Sequence, residues 1–367
     1  MIQTSIHQSF SSLHDPRINR CKRHALIDIL ILSVLAVLCG AESYDSIELF
    51  GKINIEYLKQ FLALKNGIPS HDTINRVFQI IDPRQFERCF ISWAQGLKED
   101  GAFERVIAID GKTVRGSKDN FHAKSPLHSV HAWSVENGIC LGQIECGEKT
   151  NEITVIPEIL DLINMKGSII TIDAMGTQRA IAEKIIENGG DYILAVKGNQ
   201  GSLEEEVQTA CKRNSPIAVG CTVEKGHGRI ETRRCEVFEK GLIVDSDNRW
   251  KKLTSVIKIT SIRELPAKTE TQERFYISSL ETGSDFNTHI RKHWCVENNL
   301  HWTLDMTFRE DEQRKRANHA AKNFAIVRKI GLNLLKKDTG KESLRSKRLK
   351  AGWDISFLTK LLQAYSE

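Results

Sequence analysis

The chain has 367 residues, of which 40% are hydrophobic and 27% are charged, and its net charge is +5. These values are typical of a soluble globular protein that is long enough for about two or three domains. Its nine cysteines are scattered without a CxxC pair, which argues against a disulfide framework and favours a reduced, cytoplasmic setting. The first residues show no basic stretch followed by an apolar one, so we expect no signal peptide.

Helical spacing dominates the first hundred residues. The predicted helices span residues 25–40, 46–61, 72–81 and 83–97. The first is the most hydrophobic segment, yet it falls short of the ~20 apolar residues of a membrane span and contains Asp28, so we expect a buried helix and no membrane contact. Ser70 or Asp72 can cap the third helix. We predict an N-terminal helical domain over residues 1–100, which serves either DNA binding through a helix-turn-helix-like unit or packing and dimerisation.

The pattern changes to strands at about residue 105. Predicted strands span residues 106–110, 128–135, 139–145, 168–173 and 192–196, and predicted helices span residues 153–164 and 177–188. Asn137-Gly138 is a two-residue hairpin signal between the second and third strands. Three hairpin strands followed by alternating helices and strands predict an α/β fold with a mixed sheet and flanking helices. This is the order of a ribonuclease H-like core, whose first part we place at residues 101–200.

The alternation of helices and strands stops at about residue 200. Four strand-like runs follow between turn signals, at residues 222–225, 230–238, 253–262 and 274–280. We predict a β-rich insertion over residues 201–288, before the last catalytic helix. Residues 289–367 are predicted to form the last part of the core and to end in basic helices.

The C-terminal part carries a basic segment. Between positions 311 and 350 the chain has thirteen basic and four acidic residues, Arg328 and Lys329 among the basic ones. Such a segment can neutralise the phosphates of a nucleic acid. A solvated helix face is the alternative, but the position of the segment after a candidate catalytic acid favours DNA.

Three acids stand where a metal site could form. Asp110 and Asp173 each follow a buried apolar run, and Glu297 lies in a polar and aromatic stretch with helical spacing. Converging carboxylates can hold a pair of hard divalent cations, which activate the attacking oxygen and stabilise the leaving oxygen of a phosphodiester. The alternatives are local, because an aspartate after a strand often caps a turn and a lone glutamate often lies on a helix surface. The recurring pattern favours phosphoryl transfer on nucleic acid.

Five sequence motifs follow one another along the chain. They are residues 109–116 (IDGKTVRG), 172–178 (IDAMGTQ), 197–200 (KGNQ), 227–233 (HGRIETR) and 293–305 (HWCVENNLHWTLD). Together they resemble the DDE transposases of ISAs-type insertion sequences, the group of the H-repeat-associated proteins. The resemblance implies a ribonuclease H-like catalytic domain, cleavage and joining of DNA at element ends, and two Mg²⁺ ions for which Mn²⁺ can substitute. It assigns the catalytic and metal-ligating triad to Asp110, Asp173 and Glu297.

The chain departs from the wider superfamily around the third acid. Related groups carry Tyr, Arg and Lys at seven before, four before and seven after the catalytic glutamate, where this chain has Ile290, His293 and Leu304. We therefore expect other side chains to contact the phosphates. The candidates are Lys197, Arg229, Arg291, Lys292, His301, Arg314, Lys315 and Arg316.

These observations predict the transposase of an insertion sequence, located in the bacterial cytoplasm and associated with the nucleoid. Its expected partners are double-stranded DNA at element ends and target, and a second copy of the chain, because two ends must be processed together. A structure-selective DNA nuclease would share the triad and metals but lack strand transfer. A transposase-derived DNA-binding protein would keep the basic segment without activity, although the intact triad argues against it. Inverted repeats flanking the coding region would identify a transposase.

Overall fold

The architecture is a mixed α/β fold built on one large sheet. The computed structural model describes residues 4–97, 105–122, 124–147, 151–226, 228–242, 249–266 and 268–363. Within these ranges the strands are β1 Arg105–Val114, β2 Leu127–Ser134, β3 Ile139–Cys146, β4 Ser168–Ile172, β5 Asp191–Val196, β6 Ala218–Gly226, β7 Arg229–Glu239, β8 Ser255–Leu265 and β9 Lys268–Ser278. In the described part of the chain they form a nine-stranded sheet in the order β3-β2-β1-β4-β5-β9-β8-β7-β6. The predicted mixed sheet is confirmed.

The first five strands occur in the predicted order. β1, β2 and β3 are antiparallel neighbours, and Gly138 turns the chain between β2 and β3 with a φ of 63°. β4 lies parallel to β1, and β5 lies parallel to β4. Ile107 and Ile109 of β1 enter the main core, whereas Val106 enters a second core on the other face. Burial on both faces explains why the parallel parts of β1, β4 and β5 are almost continuous apolar runs.

The four strands within residues 201–288 continue the same sheet. β6 to β9 form an antiparallel meander, and β9 also pairs antiparallel with β5, so backbone hydrogen bonds join these strands to the first five. β6 forms the outer edge and is exposed along its whole length. The sequence predicted strands in this segment but not their pairing with β5, because pairing between distant residues leaves no local signal. His227, between β6 and β7, lies outside the described residues.

Helices precede the sheet. They are α1 Ser5–Phe10, α2 Leu26–Leu38, α3 Tyr44–Ile53, α4 Ile55–Leu58, α5 His71–Ile80 and α6 Pro83–Gly96. Ser70 caps α5 by accepting a hydrogen bond from the amide of Thr73. The helix predicted over residues 46–61 is divided into α3 and α4. The division falls at Asn54, whose side-chain amide donates to the Phe50 carbonyl at 2.9 Å and competes with regular helical hydrogen bonding.

The acid in the most hydrophobic helix has backbone partners. The carboxylate of Asp28 accepts hydrogen bonds from the amides of Ala63 and Leu64, at 3.3 and 3.2 Å. These bonds explain how α2 can be buried along almost its whole length while it carries a charge. Among the residues described, no helix is both long enough and apolar enough to cross a membrane.

The remaining helices follow β3 in the chain. They are α7 Glu152–Leu162, α8 Arg179–Glu187, α9 Gly201–Arg213, α10 Phe286–His293, a π-helix Val296–His301, α11 Trp302–Met306, α12 Ala320–Lys337, α13 Leu344–Trp353 and α14 Ile355–Gln363. Of these, α12 covers the edge strand β3. The Asn333 side chain accepts from the Cys140 amide at 2.9 Å and donates to the Cys140 carbonyl at 2.8 Å. This pair satisfies backbone groups that an open sheet edge would expose.

A buried charge cluster lies against α12. Glu310 is fully buried, and its carboxylate lies 3.7 Å from the cationic groups of Lys112, Arg328 and Lys329. The expectation that Arg328 and Lys329 contact phosphates is corrected, because these residues are only 3% and 1% exposed. They neutralise an internal acid instead. Charge and helical spacing in a sequence do not distinguish a buried cation from a solvated one.

Glu310→Gln tests the cluster. The change keeps the shape of the side chain but removes the acid that pairs with the buried Arg328 and Lys329, whereas Lys112 keeps Asp305 and Asp311. We therefore expect the free energy of unfolding to fall by about 3–5 kcal/mol. Glu312→Gln is the matched control, because Glu312 is exposed and pairs with the exposed Arg309. The control should change this free energy by less than about 1 kcal/mol. Denaturant unfolding measures both variants, and equal losses would contradict the role of the cluster.

Candidate active site

The pairing of β1 with β4 places the two predicted aspartates side by side. Ile109 pairs with Ile172 in the parallel ladder, so Asp110 and Asp173 follow at the same level. Both are half-buried. β1 does not stop at Asp110, as the sequence predicted, but continues to Val114 in its pairing with β2. Asp110 therefore marks the end of the parallel ladder rather than the end of the strand.

Both aspartates also make local hydrogen bonds. Asp173 accepts from the Met175 amide at 3.1 Å and caps the short 3-10 turn Ala174–Gly176. Asp110 accepts from the Gly111 amide at 2.9 Å. The capping alternative thus holds for Asp173. It does not exclude a metal role, since an ionised carboxylate has about four acceptor positions on two oxygens.

Glu297 reaches the same region on the π-helix Val296–His301. Leu300 anchors this helix in the core, while Glu297 is exposed. Glu297, Asp110 and Asp173 all line one cavity of about 590 Å³. Short π-helical turns are rare in proteins, and those that do occur are often found at functional sites. The structure therefore brings the three predicted acids to one cavity, whereas Glu310 is buried in the charge cluster.

Proximity and burial make the three carboxylates harder to ionise. Burial raises the pKa of Asp110 to about 7, and the charge of Asp173 adds to this effect, followed by those of Glu297 and Glu152. Burial, and then the charge of Glu152, raises the pKa of Asp173. Burial raises the pKa of Glu297 as well; the nearby Arg274 opposes the shift and Asp173 adds to it. The cavity therefore has an excess of negative charge, which a cation would relieve.

The acids line the cavity without forming a tight cluster. Within the described residues, no three His, Cys, Asp or Glu side chains are close enough together to hold one metal ion. The three acids therefore line one cavity but do not stand close enough together to ligate one ion jointly. The donor set itself suits Mg²⁺ or Mn²⁺, because hard cations prefer carboxylate oxygens.

A fourth acid beside the site was missed by the sequence analysis. His128 donates from Nε2 to Glu152 at 2.8 Å. The carboxylate of Glu152 lies against the backbone of Gly111, where an added Cβ would stand 1.9 Å from Oε1. Gly111 is therefore required for this close approach. The glycine directly after Asp110 was the available signal, although it could not identify the partner.

Of the lysines and arginines predicted to contact phosphates, Lys197 lines the cavity of the three acids. Its charge acts on Asp173. Arg229, Arg291 and Lys292 line a neighbouring groove of about 940 Å³. Their present partners are acids: Arg229 is 3.6 Å from Glu231, Lys292 is 3.0 Å from Glu136, and Arg291 pairs with Glu224.

The groove is basic and joins the acid cavity. Among the described residues, its charged lining consists of Glu224, Lys225, Arg229, Glu231, Arg233, Arg263, Arg274, Arg291 and Lys292. Arg274, Tyr276, Ile290 and Trp294 line both the groove and the cavity. The guanidinium of Arg274 lies 4.9 Å from the ring centre of Trp294. The insertion and α10 thus form a positively charged surface that leads to the acids.

The other basic candidates lie elsewhere. Arg314, Lys315 and Arg316 line a separate cavity beside the N-terminal helices. Arg314 is exposed, but Arg316 donates to the Gly116 carbonyl at 3.3 Å. Lys315 donates to the Glu42 carbonyl at 2.6 Å, and burial, followed by the charge of Arg328, lowers its pKa to about 7. The structure does not bring these three residues to the acid cavity.

The positions that depart from the superfamily pattern have different environments. Ile290 and His293 line the acid cavity, whereas Leu304 is fully buried. The side chain of His301 is 12% exposed and lies beside Asp110, with an Nδ1–Oδ2 distance of 3.6 Å. The phosphate contact of His301 stays a prediction.

Comparison with known proteins identifies the family. The family model described as "Transposase DDE domain" matches residues 101–334, and the one described as "DDE_Tnp_1-associated" matches residues 7–94. The chain is 42% identical over 352 residues to "H repeat-associated putative transposase YhhI" of Escherichia coli K12, covering 92% of each chain. It is 41% identical over 358 residues to "Putative transposase YncI" of Escherichia coli O157:H7, covering 94% of this chain and 91% of that one.

Similarity to solved structures is weak. The piggyBac transposase synaptic complex with hairpin DNA aligns with 99% of this chain and 78% of that chain, at 11% identity and a TM-score of 0.43. This score is too low to carry an argument, so the assignment rests on the sequence matches. On those matches, the chain belongs to the DDE transposase family and is related to the H repeat-associated transposases.

Proposed function

We propose that this protein is an active DNA transposase that cleaves and joins DNA at element ends by metal-dependent phosphoryl transfer. The observation that carries the proposal is the position of Asp110, Asp173 and Glu297 in one cavity, at the end of a basic groove. We also propose that the core is ribonuclease H-like, supported by the order β3-β2-β1-β4-β5 with three antiparallel and two parallel strands.

The three acids are the proposed ligands of two Mg²⁺ or Mn²⁺ ions. Asp110 is electrostatically coupled to both of the other acids, because the charges of Asp173 and Glu297 raise its pKa. When bound, the ions would activate the attacking water or 3′-hydroxyl and stabilise the leaving oxygen. The contribution of the protein is to hold three carboxylates at a partly desolvated cavity, where they attract the cations more strongly than they would in water.

The basic groove is the proposed path of the DNA. Its arginine and lysine side chains can neutralise backbone phosphates without reading the sequence. Arg274 is placed at the junction with the acid cavity, so a strand that follows the groove would arrive at the acids. We also propose that the protein acts as a homodimer on DNA. The division of the chain into a helical domain, a catalytic core and an insertion is part of the same proposal.

Asp110→Asn, Asp173→Asn and Glu297→Gln test the catalytic assignment. Each removes one ligating charge at nearly constant shape, so Mg²⁺-dependent cleavage and joining of element-end DNA should fall below detection while DNA binding survives. Glu158→Gln is the control, because Glu158 is an exposed acid paired with Arg84 on the surface of α7. A cleavage and strand-transfer assay beside a gel shift measures both properties. A triad variant that cuts at the wild-type rate would refute the assignment, and cutting without joining by the wild-type protein would indicate a nuclease.

The raised pKa of Asp110 predicts a pH-dependent effect of Asp110→Asn on stability. With a pKa of about 7 in the folded state and about 3.9 when unfolded, the folded protein holds a proton that the unfolded chain has lost. Stability therefore falls as pH rises from about 4 to about 7. Without divalent cations, Asp110→Asn should raise the melting temperature more at pH 8 than at pH 5. Asp161→Asn, at an exposed ion pair with Lys184, should show no such difference. An increase in the melting temperature of Asp110→Asn that does not depend on pH would contradict this electrostatic explanation.

Salt dependence of DNA binding tests the groove. If Arg229, Arg291 and Lys292 contact phosphates, replacing all three with Gln should flatten the slope of log affinity against log salt by about 2 to 3 units. The control variant replaces Lys166, Lys184 and Lys252 with Gln. These three lysines lie away from the groove on other surfaces. Equal slopes for the wild type and the groove variant would refute the proposed path.

A further inference from the structure

A chain of polar side chains leads from the buried sheet to Asp110. In the antiparallel pairing of β1 with β2, Asp110 stands directly opposite His131, so the two side chains share one face of the sheet. His301, at the end of the π-helix, lies next to both. Its Nε2 is 3.0 Å from His131 Nδ1, and its Nδ1 is 3.6 Å from Asp110 Oδ2. At the other end of the chain, His131 Nε2 is 3.2 Å from Ser129 Oγ.

Burial disfavours the charged form of both imidazoles. Burial, and then the charge of Lys112, lowers the pKa of His301 to about 3. Burial, and then the charge of Lys329, lowers the pKa of His131 well below its usual range. A neutral imidazole has one N–H donor and one acceptor nitrogen. Each ring can therefore pass a hydrogen bond along the chain in only one direction.

Metal binding requires an ionised Asp110, and this carboxylate determines the direction. Because a carboxylate only accepts, His301 must present Nδ1–H to it, which leaves Nε2 of His301 as an acceptor. His131 then donates from Nδ1 to His301 and accepts at Nε2 from the hydroxyl of Ser129. Every donor in the chain finds an acceptor. The distance of 3.6 Å to Asp110 is longer than a formed hydrogen bond, and such contacts at catalytic sites commonly tighten in the loaded complex.

We propose that His301 is a positioning residue that orients the Asp110 carboxylate for metal binding, and that His131 holds His301 in the required tautomer. This inference rests on the proposed metal-dependent function. It gives the buried His301 a role inside the site, in place of the phosphate contact expected from the sequence. Partners that orient a ligand from outside the coordination sphere typically contribute 10–100-fold to metal affinity.

A pair of amide variants separates the two nitrogens of His301. In His301→Asn, the side-chain amide lies near the position of Nδ1 and can still donate to Asp110. In His301→Gln, the amide reaches the position of Nε2 and keeps only the contact with His131. Both changes remove the imidazole ring, so each variant serves as a control for the packing that the other loses. Binding of Mn²⁺ to the full-length protein, followed by electron paramagnetic resonance, is the readout, with melting temperature recorded for each variant.

We expect His301→Gln to weaken Mn²⁺ binding by about 10–100-fold, and His301→Asn to bind Mn²⁺ clearly more tightly than His301→Gln at a similar melting temperature. Equal affinities of the two variants would overturn the proposal. If neither variant folds, Ser129→Ala leaves both rings in place and should still weaken Mn²⁺ binding; an unchanged affinity would overturn the proposal. A different result would contradict the proposed function itself, namely equal Mn²⁺ affinities of the wild-type protein and Asp110→Asn.

Discussion

The parallel pairing of β1 with β4 is the constraint on which the site depends. It sets Asp110 and Asp173 at the same level, and the alternation of strand side chains turns both toward the face that α10 covers, where Thr171 contacts His293 at 3.0 Å. A shift of one residue in this pairing would turn one aspartate to the opposite face. The chain must therefore return Glu297 to that face after the insertion, and the backbone pairing of β9 with β5 provides the fixed point for that return.

The Glu310 cluster and the acids of the cavity both lie beside β1, but they differ in how far their negative charge is neutralised. Glu310 is matched by three buried cations, one of which, Lys112, lies two residues beyond Asp110 on the same strand. The cavity acids have no such match, and burial and mutual repulsion raise the pKa of Asp110 to about 7. The Glu310 cluster pairs its acid with cations inside the fold, whereas the cavity acids keep an excess of negative charge that a cation would relieve. Acids so near in sequence as Glu297 and Glu310 therefore have opposite electrostatic surroundings.

Local patterns predicted the parts of this structure that depend on local physics. The apolar runs before Asp110 and Asp173 predicted two central strands, and Asn137-Gly138 predicted the hairpin between β2 and β3, because strand composition and turn chemistry are encoded by neighbours in sequence. Contacts between distant residues were not predictable in this way. The approach of Glu152 to Gly111 depends on tertiary packing. A contact between residues so far apart in the chain leaves no local sequence pattern from which it could be predicted. The catalytic roles of the acids remain a prediction.

The central claim is that Asp110, Asp173 and Glu297 form a metal site for phosphoryl transfer on DNA. The most direct measurement is a crystal structure of the protein with Mn²⁺ and element-end DNA, using the anomalous scattering of Mn²⁺ to locate the ions. The account predicts two anomalous peaks about 3.5–4 Å apart, in contact with the three carboxylates and the scissile phosphate. Manganese bound away from these carboxylates, or element-end DNA lying away from the basic groove, would contradict it.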